Sequence, residues 1–366
     1  MYLEYLTGAI GLIPIYIILI RRLNLKLNTA LYIYFYRAIF SIVYIFYANN
    51  YPADANMYIR ENPSYAGKIG TEFILRLIDL SSKFLGIKGY ALYSLFGLLG
   101  AVGCCYLYCS IKKCDIRGLN KIDNISALFC FLPSLAFWTL APGKDSITFL
   151  LINYALYSYV QLNDKSIKLN FKIITSTFLL LLIRPHVGAS IVISYILFFM
   201  IQIKKKKYLF IRLFILLLVS LVFWILIPSL LKYASIENYN LFDSIYLLEE
   251  RFSQTSINQV NTNYINRVIF FLFTPLPKIS FNPLYLADYA NTLFITYFVF
   301  TILRDPKSYK NIVKNPFFLF SIILLLLLPL IVYNPGVAAR QKWMILPPLI
   351  ISLKYNRYLN HKKLGS

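Results

Sequence analysis

The chain has 366 residues, 59% hydrophobic and only 14% charged, with a mean hydropathy of +0.63. Soluble domains run at about 45–50% apolar and about 25% charged, so a water-facing globular exterior is excluded and a polytopic membrane protein is expected. The net charge of +22 does not point to nucleic acid, because the basic residues cluster in short runs between long apolar segments. A membrane-spanning helix needs about 20 mainly apolar residues. In chain order, spans are expected near 3–20, 30–48, 89–110, 124–141, 146–162, 171–185, 188–203, 209–231, 286–303, 316–333 and 343–354. The predicted fold is all-α, one transmembrane domain over 1–366 with about 11 helices. Segment 3–20 lacks a basic leader and a small-residue cleavage site, and reads as a retained span.

The loops alternate in charge. Twenty-three of the 37 basic residues fall in one set, including Arg21, Arg22, Lys112, Lys113, Lys204 to Lys207, Arg304, Lys314 and Lys354. The positive-inside rule makes these loops cytoplasmic, which places the N-terminus outside and the C-terminus inside. The opposite set holds ten of the fifteen carboxylates and both long loops, 49–88 and 232–285. Cytoplasmic loops this short leave no room for a nucleotide-binding domain, so any chemistry is expected on the outer face. Within the first long loop, Phe73, Leu77, Leu80 and Phe84 recur at helical spacing opposite Arg76, Asp79 and Lys83. This predicts an interfacial amphipathic helix over 71–86, ended by Gly86. The five cysteines, Cys104, Cys105, Cys109, Cys114 and Cys130, read as packing residues, with Cys114 placed for palmitoylation beside the basic run.

Several cations break the charge rule. Lys144 lies in F-W-T-L-A-P-G-K-D-S, a short outer turn; Arg184 lies in R-P-H; Arg340 and Lys342 lie in N-P-G-V-A-A-R-Q-K; Arg37 sits in the middle of the second span. Cations within or beside spans are costly and usually face a cavity or a partner. Two readings compete: each cation snorkels to the headgroups alone, or they converge on an outward pocket suited to a lipid-linked phosphate or pyrophosphate. Arginine recognises phosphate through a planar fork, and lysine supplies a point charge. Pro142-Gly143, Pro185 and Pro335-Gly336 beside them are expected to break helices, where freed backbone groups line a hydrated cavity. His186 stands two residues from Arg184 as a candidate general base. A lone outer histidine among scattered acids makes no metal site, and no cofactor is expected.

Taken together these motifs resemble those of bacterial polysaccharide polymerases of the Wzy and EpsG type. F-W-T-L-A-P-G-K-D-S (137–146) is similar to that family's F-W-x-x-x-x-G-K-[DE] turn, and R-P-H (184–186) to a second motif. T-P-L-P (274–277) resembles R-P-x-P with Thr274 in place of arginine, and 334–342 resembles N-x-G-x-x-x-R-Q-R with Lys342 last. Asp54-Ala55 followed by Tyr58 resembles D-A-x-x-Y of the first outer loop. The resemblance implies a glycosyltransferase of the bacterial cytoplasmic (inner) membrane, an O-antigen, capsule or exopolysaccharide polymerase. It would transfer a growing glycan from undecaprenyl pyrophosphate to a hydroxyl of the next lipid-linked repeat unit. Arg184 and Arg340 would then stabilise the leaving pyrophosphate, assisted by Arg37, Lys144 and Lys342, with Tyr58 on the substrate. The base remains open among His186, Asp54, Glu249 and Glu250, and loop 232–285 would cover the site as a lid. The implied partners are the lipid-linked oligosaccharide, membrane lipids, a chain-length regulator and a flippase. Another lipid-linked-sugar glycosyltransferase, an O-antigen ligase, and a flippase or transporter of the same glycan are the competing functions.

Overall fold

The computed structural model describes residues 1–51, 53–59, 70–114, 127–162, 170–202, 264–273, 283–304, 312–332 and 335–364. These are helical, with no strand among them. The chain divides into two compact units, 1–184 and 185–366.

The first unit contains α1 (Tyr2–Gly11), α2 (Ile13–Ile20), α3 (Leu27–Asn50), α4 (Ala55–Ile59), α5 (Thr71–Leu85), α6 (Ala91–Lys113), α7 (Pro133–Trp138), α8 (Lys144–Gln161) and α9 (Phe171–Ile183). The expected first span is bent by 40° where α1 gives way to α2, just before Pro14 enters the first turn of α2. Helix α6 is the hub, packing against α1, α2, α3 and α8. Buried tyrosines lace the first three helices together. Tyr5 of α1 donates to Ala38 O of α3 (2.9 Å), Tyr34 of α3 returns to Ala9 O of α1 (2.6 Å), and Tyr16 of α2 reaches Ala30 O (2.7 Å). Each ring fills apolar space while its hydroxyl finds the partner that burial demands.

Helix α3 is inside out by the standard of a soluble protein. Its exposed stripe is Tyr32, Phe35, Ile39, Val43 and Phe46, whereas the buried side includes Arg37 and Ser41. At 24 residues it is roughly 36 Å long, enough to cross a hydrocarbon core of about 30 Å. Among the described residues α3, α6 and α10 (Pro185–Gln202) are long and apolar enough to cross a membrane, and the bent α1–α2 pair adds a fourth when taken as one span.

Helix α5 matches the amphipathic segment and ends at Gly86, which takes a left-handed φ of 66°. It buries Ile74, Ile78 and Ser81 and packs on α9, while Leu80 and Phe84 of the expected apolar stripe stay exposed, Phe84 at 81%.

The second unit contains α10, α11 (Tyr264–Phe273), α12 (Pro283–Arg304), α13 (Pro316–Ile331) and α14 (Pro335–Leu364). Helix α13 is its centre, packing against α10, α11 and α14.

Three sequence expectations change. Within the fourth expected span, 124–141, the described residues hold only a 3-10 turn at Phe129–Phe131 and the six-residue α7, because Pro133 starts a new helix and Pro142-Gly143 forbids its continuation. The last expected span, 343–354, lies inside the 30-residue α14. Pro335 is the first residue of that helix, a position for which its fixed φ is pre-set. Arg340 and Lys342 therefore lie on the helix rather than in a turn before it. The expected span 209–231, Glu249, Glu250 and Thr274 lie outside the described residues, as does the expected lid apart from α11 and the first residues of α12.

Candidate functional site

The site of the first unit is built around the break between α7 and α8. Every residue from Thr139 to Phe149 is buried, so the expected short outer turn is sunk into the unit. Gly143 makes the turn possible, with φ of 147° and ψ of −169°, a backbone state open to glycine. Tyr58 packs against it, its ring edge lying 3.4 Å from where a Cβ would stand, an ordinary van der Waals distance. The D-A-x-x-Y segment is thereby brought onto the G-K-D turn. Tyr58 is 6% exposed, whereas Asp54, at the edge of α4, faces outward.

Lys144 and Asp145 open α8 and are 7% and 5% exposed. Asp145 stands in the first turn, where a helix favours negative charge. Arg184 ends α9, immediately before Pro185, in a non-helical conformation (φ −138°, ψ 84°), and its N–H closes α9 onto Leu180 O at 2.7 Å. Its Nη2 donates to Asp145 Oδ1, an ion pair between groups 8% and 5% exposed. Packing of α8 against α9 brings the two motifs together across 39 residues of sequence.

Arg37 lies beneath the same turn, 1% exposed. Its Nη2 donates to both the carbonyl oxygen and the hydroxyl of Thr139, and the Thr139 hydroxyl in turn donates to Leu135 O at 2.6 Å. The guanidinium also stands 5.3 Å from the Phe149 ring centroid, a cation–π distance. Arg37 Nε and Nη1 meet no hydrogen-bond partner among the described residues. The arginine therefore grips the end of α7 from α3. It reaches Thr139 across Gly100 of α6; a Cβ there would crowd Thr139 O and lie 2.9 Å from Arg37 Nη2. One turn on, Gly103 lets Leu150 of α8 approach equally closely.

His186, Arg340 and Lys342 belong to the second unit. His186 is half-buried in the first turn of α10, with its carbonyl accepting from Ser190 Oγ at 2.7 Å. Arg340 is half-buried and Lys342 is 1% exposed, both on the first turns of α14. No cluster of three or more metal-ligating side chains occurs among the described residues. Sequence reasoning had passed over Asp145, Thr139 and Gly100 as site residues. Asp145 occupied the acidic slot of the motif, and Gly97, Gly100 and Gly103 recur every third residue, the mark of a helix closely approached on one side.

A buried cation at a helix N-terminus, a second cation paired with a carboxylate, and a helix break around them suit an anionic ligand. Comparison of the chain with known families, characterised proteins and solved structures gives no match.

Proposed function

We propose that the chain is a glycan polymerase of the bacterial cytoplasmic membrane, with eleven spans, the N-terminus outside and the C-terminus inside. It transfers a growing chain from undecaprenyl pyrophosphate to a hydroxyl of the next lipid-linked repeat unit. The observation that carries this reading is the convergence within one unit of residues from three separated motifs: Tyr58 against Gly143, and Asp145 paired with Arg184.

In the reaction the sugar C1–O bond to the diphosphate breaks, and the electron pair leaves on the diphosphate oxygen. The acceptor oxygen forms the new glycosidic bond and gives its proton to a base, for which His186 and Asp54 are the candidates among the described residues and Glu249 and Glu250 the others. Charge developing on the leaving oxygen calls for placed cations in a site shielded from water. Arg184 and Lys144 take that role in the first unit. Arg37 acts indirectly, by holding Thr139 and with it the turn that carries Lys144.

A flippase for the same glycan is the second reading. It is favoured by the buried ion pair at a helix break, an arrangement that also suits transport. The surface glycan of a deletion strain separates the functions. Single repeat units on the surface mean a polymerase. Loss of surface glycan with lipid-linked precursor held on the inner leaflet means a flippase, and free lipid-linked polymer means a ligase.

A further inference from the structure

We infer that Asp145 is a resident counter-charge, exchanged by Arg184 for the diphosphate of a bound lipid-linked substrate; this rests on the diphosphate reading of the same site. Lys144, Asp145 and Arg184 are all more than nine-tenths buried, so their charges act on one another with little screening by water. Lys144 is the first residue of α8, where the unpaired peptide N–H groups already carry partial positive charge. The helix opposes a cation there. Arg184 adds a second full positive charge, and of the three side chains Asp145 alone is negative. A diphosphate brings two or three negative charges and oxygens suited to the donor that Asp145 Oδ1 now engages. Asp145 and the ligand therefore compete for the same guanidinium and repel each other.

Removing the carboxylate charge has two opposite consequences. The empty protein loses a charged partner of a buried arginine and becomes less stable. The occupied protein loses a repulsion, so the ligand binds more tightly. A pair that only braces α8 against α9 produces the first effect without the second, which makes the affinity the informative readout.

The test uses the full-length chain in detergent, with thermal stability followed as ligand is added. Inorganic pyrophosphate is titrated in one arm and farnesyl diphosphate, a short prenyl diphosphate, in the other. Asp145→Asn is expected to melt below wild type without ligand, yet to reach half-protection at about tenfold lower ligand concentration. Asp145→Glu keeps the charge and is expected to titrate like wild type; Asp145→Ser replaces the asparagine variant if that chain does not fold. A gain with farnesyl diphosphate alone assigns the site to a lipid-borne diphosphate, and an equal gain with both assigns it to the diphosphate itself. Equal half-protection in wild type and Asp145→Asn overturns the exchange and leaves the diphosphate reading standing. If neither ligand protects any of the chains, the diphosphate reading falls and the exchange falls with it.

Discussion

Arg37 illustrates how a single residue can be conspicuous in sequence while its partners are not. A cation in mid-span was bound to be important, but its hydrogen bonds to Thr139 depend on α6 offering a glycine between them. Gly100 is therefore the residue on which the arrangement turns. Gly100→Ala forces a methyl group against Thr139 O and the Arg37 guanidinium and is expected to destabilise by about 1–3 kcal/mol. Gly11, where a Cβ meets nothing within 4 Å, is the control, and its alanine variant should stay within about 0.5 kcal/mol of wild type. Melting curves in detergent compare the two. If both variants melt alike, Gly100 is not the crossing point. The pairing of Arg184 with Asp145 was equally hidden, since its 39-residue separation is spanned by the packing of α8 on α9 and by no local pattern. The motif residues themselves were legible because helix breakers flank them.

At the scale of elements, apolar length was readable, and so were the breaks at Pro142-Gly143, Pro185 and Pro335-Gly336, whereas the break at Pro133 was not. Helices α3, α6 and α10 lie where long apolar runs predicted them. The 124–141 segment reads as equally apolar, yet Pro133 and Gly143 reset the chain to make α7, the sunk turn and α8. Conversely, Pro335 starts α14, and Pro347 and Pro348 lie within it, where the expected span began only at residue 343. For α3, the exposed stripe makes a direct claim about its surroundings. Nitroxide labels at Ile39 and Phe46, 60% and 62% exposed, should collide with lipid-dissolved oxygen several times more often than a label at Ile45, which is 0% exposed. Low collision rates at all three positions would mean that protein covers this face instead of lipid.

For the whole molecule, the alternation of basic loops predicts topology independently of any contact. Reporter fusions after Lys207 and after Lys314 are expected on the cytoplasmic side and a fusion near Ser256 on the outer side; a cytoplasmic signal at Ser256 would invert the arrangement. That outer placement matters because the diphosphate-linked donor and acceptor are proposed to meet there, around cations that topology alone would disfavour. Arg184 is central among them. Its planar fork orients a pair of phosphate oxygens in a way that a lysine point charge does not. A buried contact of this kind contributes about 1.5–3 kcal/mol, so Arg184→Lys should slow the reaction by roughly ten- to over a hundredfold. The most direct measurement is the rate at which the purified chain, in lipid nanodiscs, elongates single lipid-linked repeat units extracted from a strain lacking its gene. The expected result is a ladder of lengthening products from wild type and from Lys204→Ala, and a severe loss of that ladder in Arg184→Lys at matched protein amount. Absence of any elongation by the wild-type chain, or an undiminished ladder from Arg184→Lys, would contradict the account.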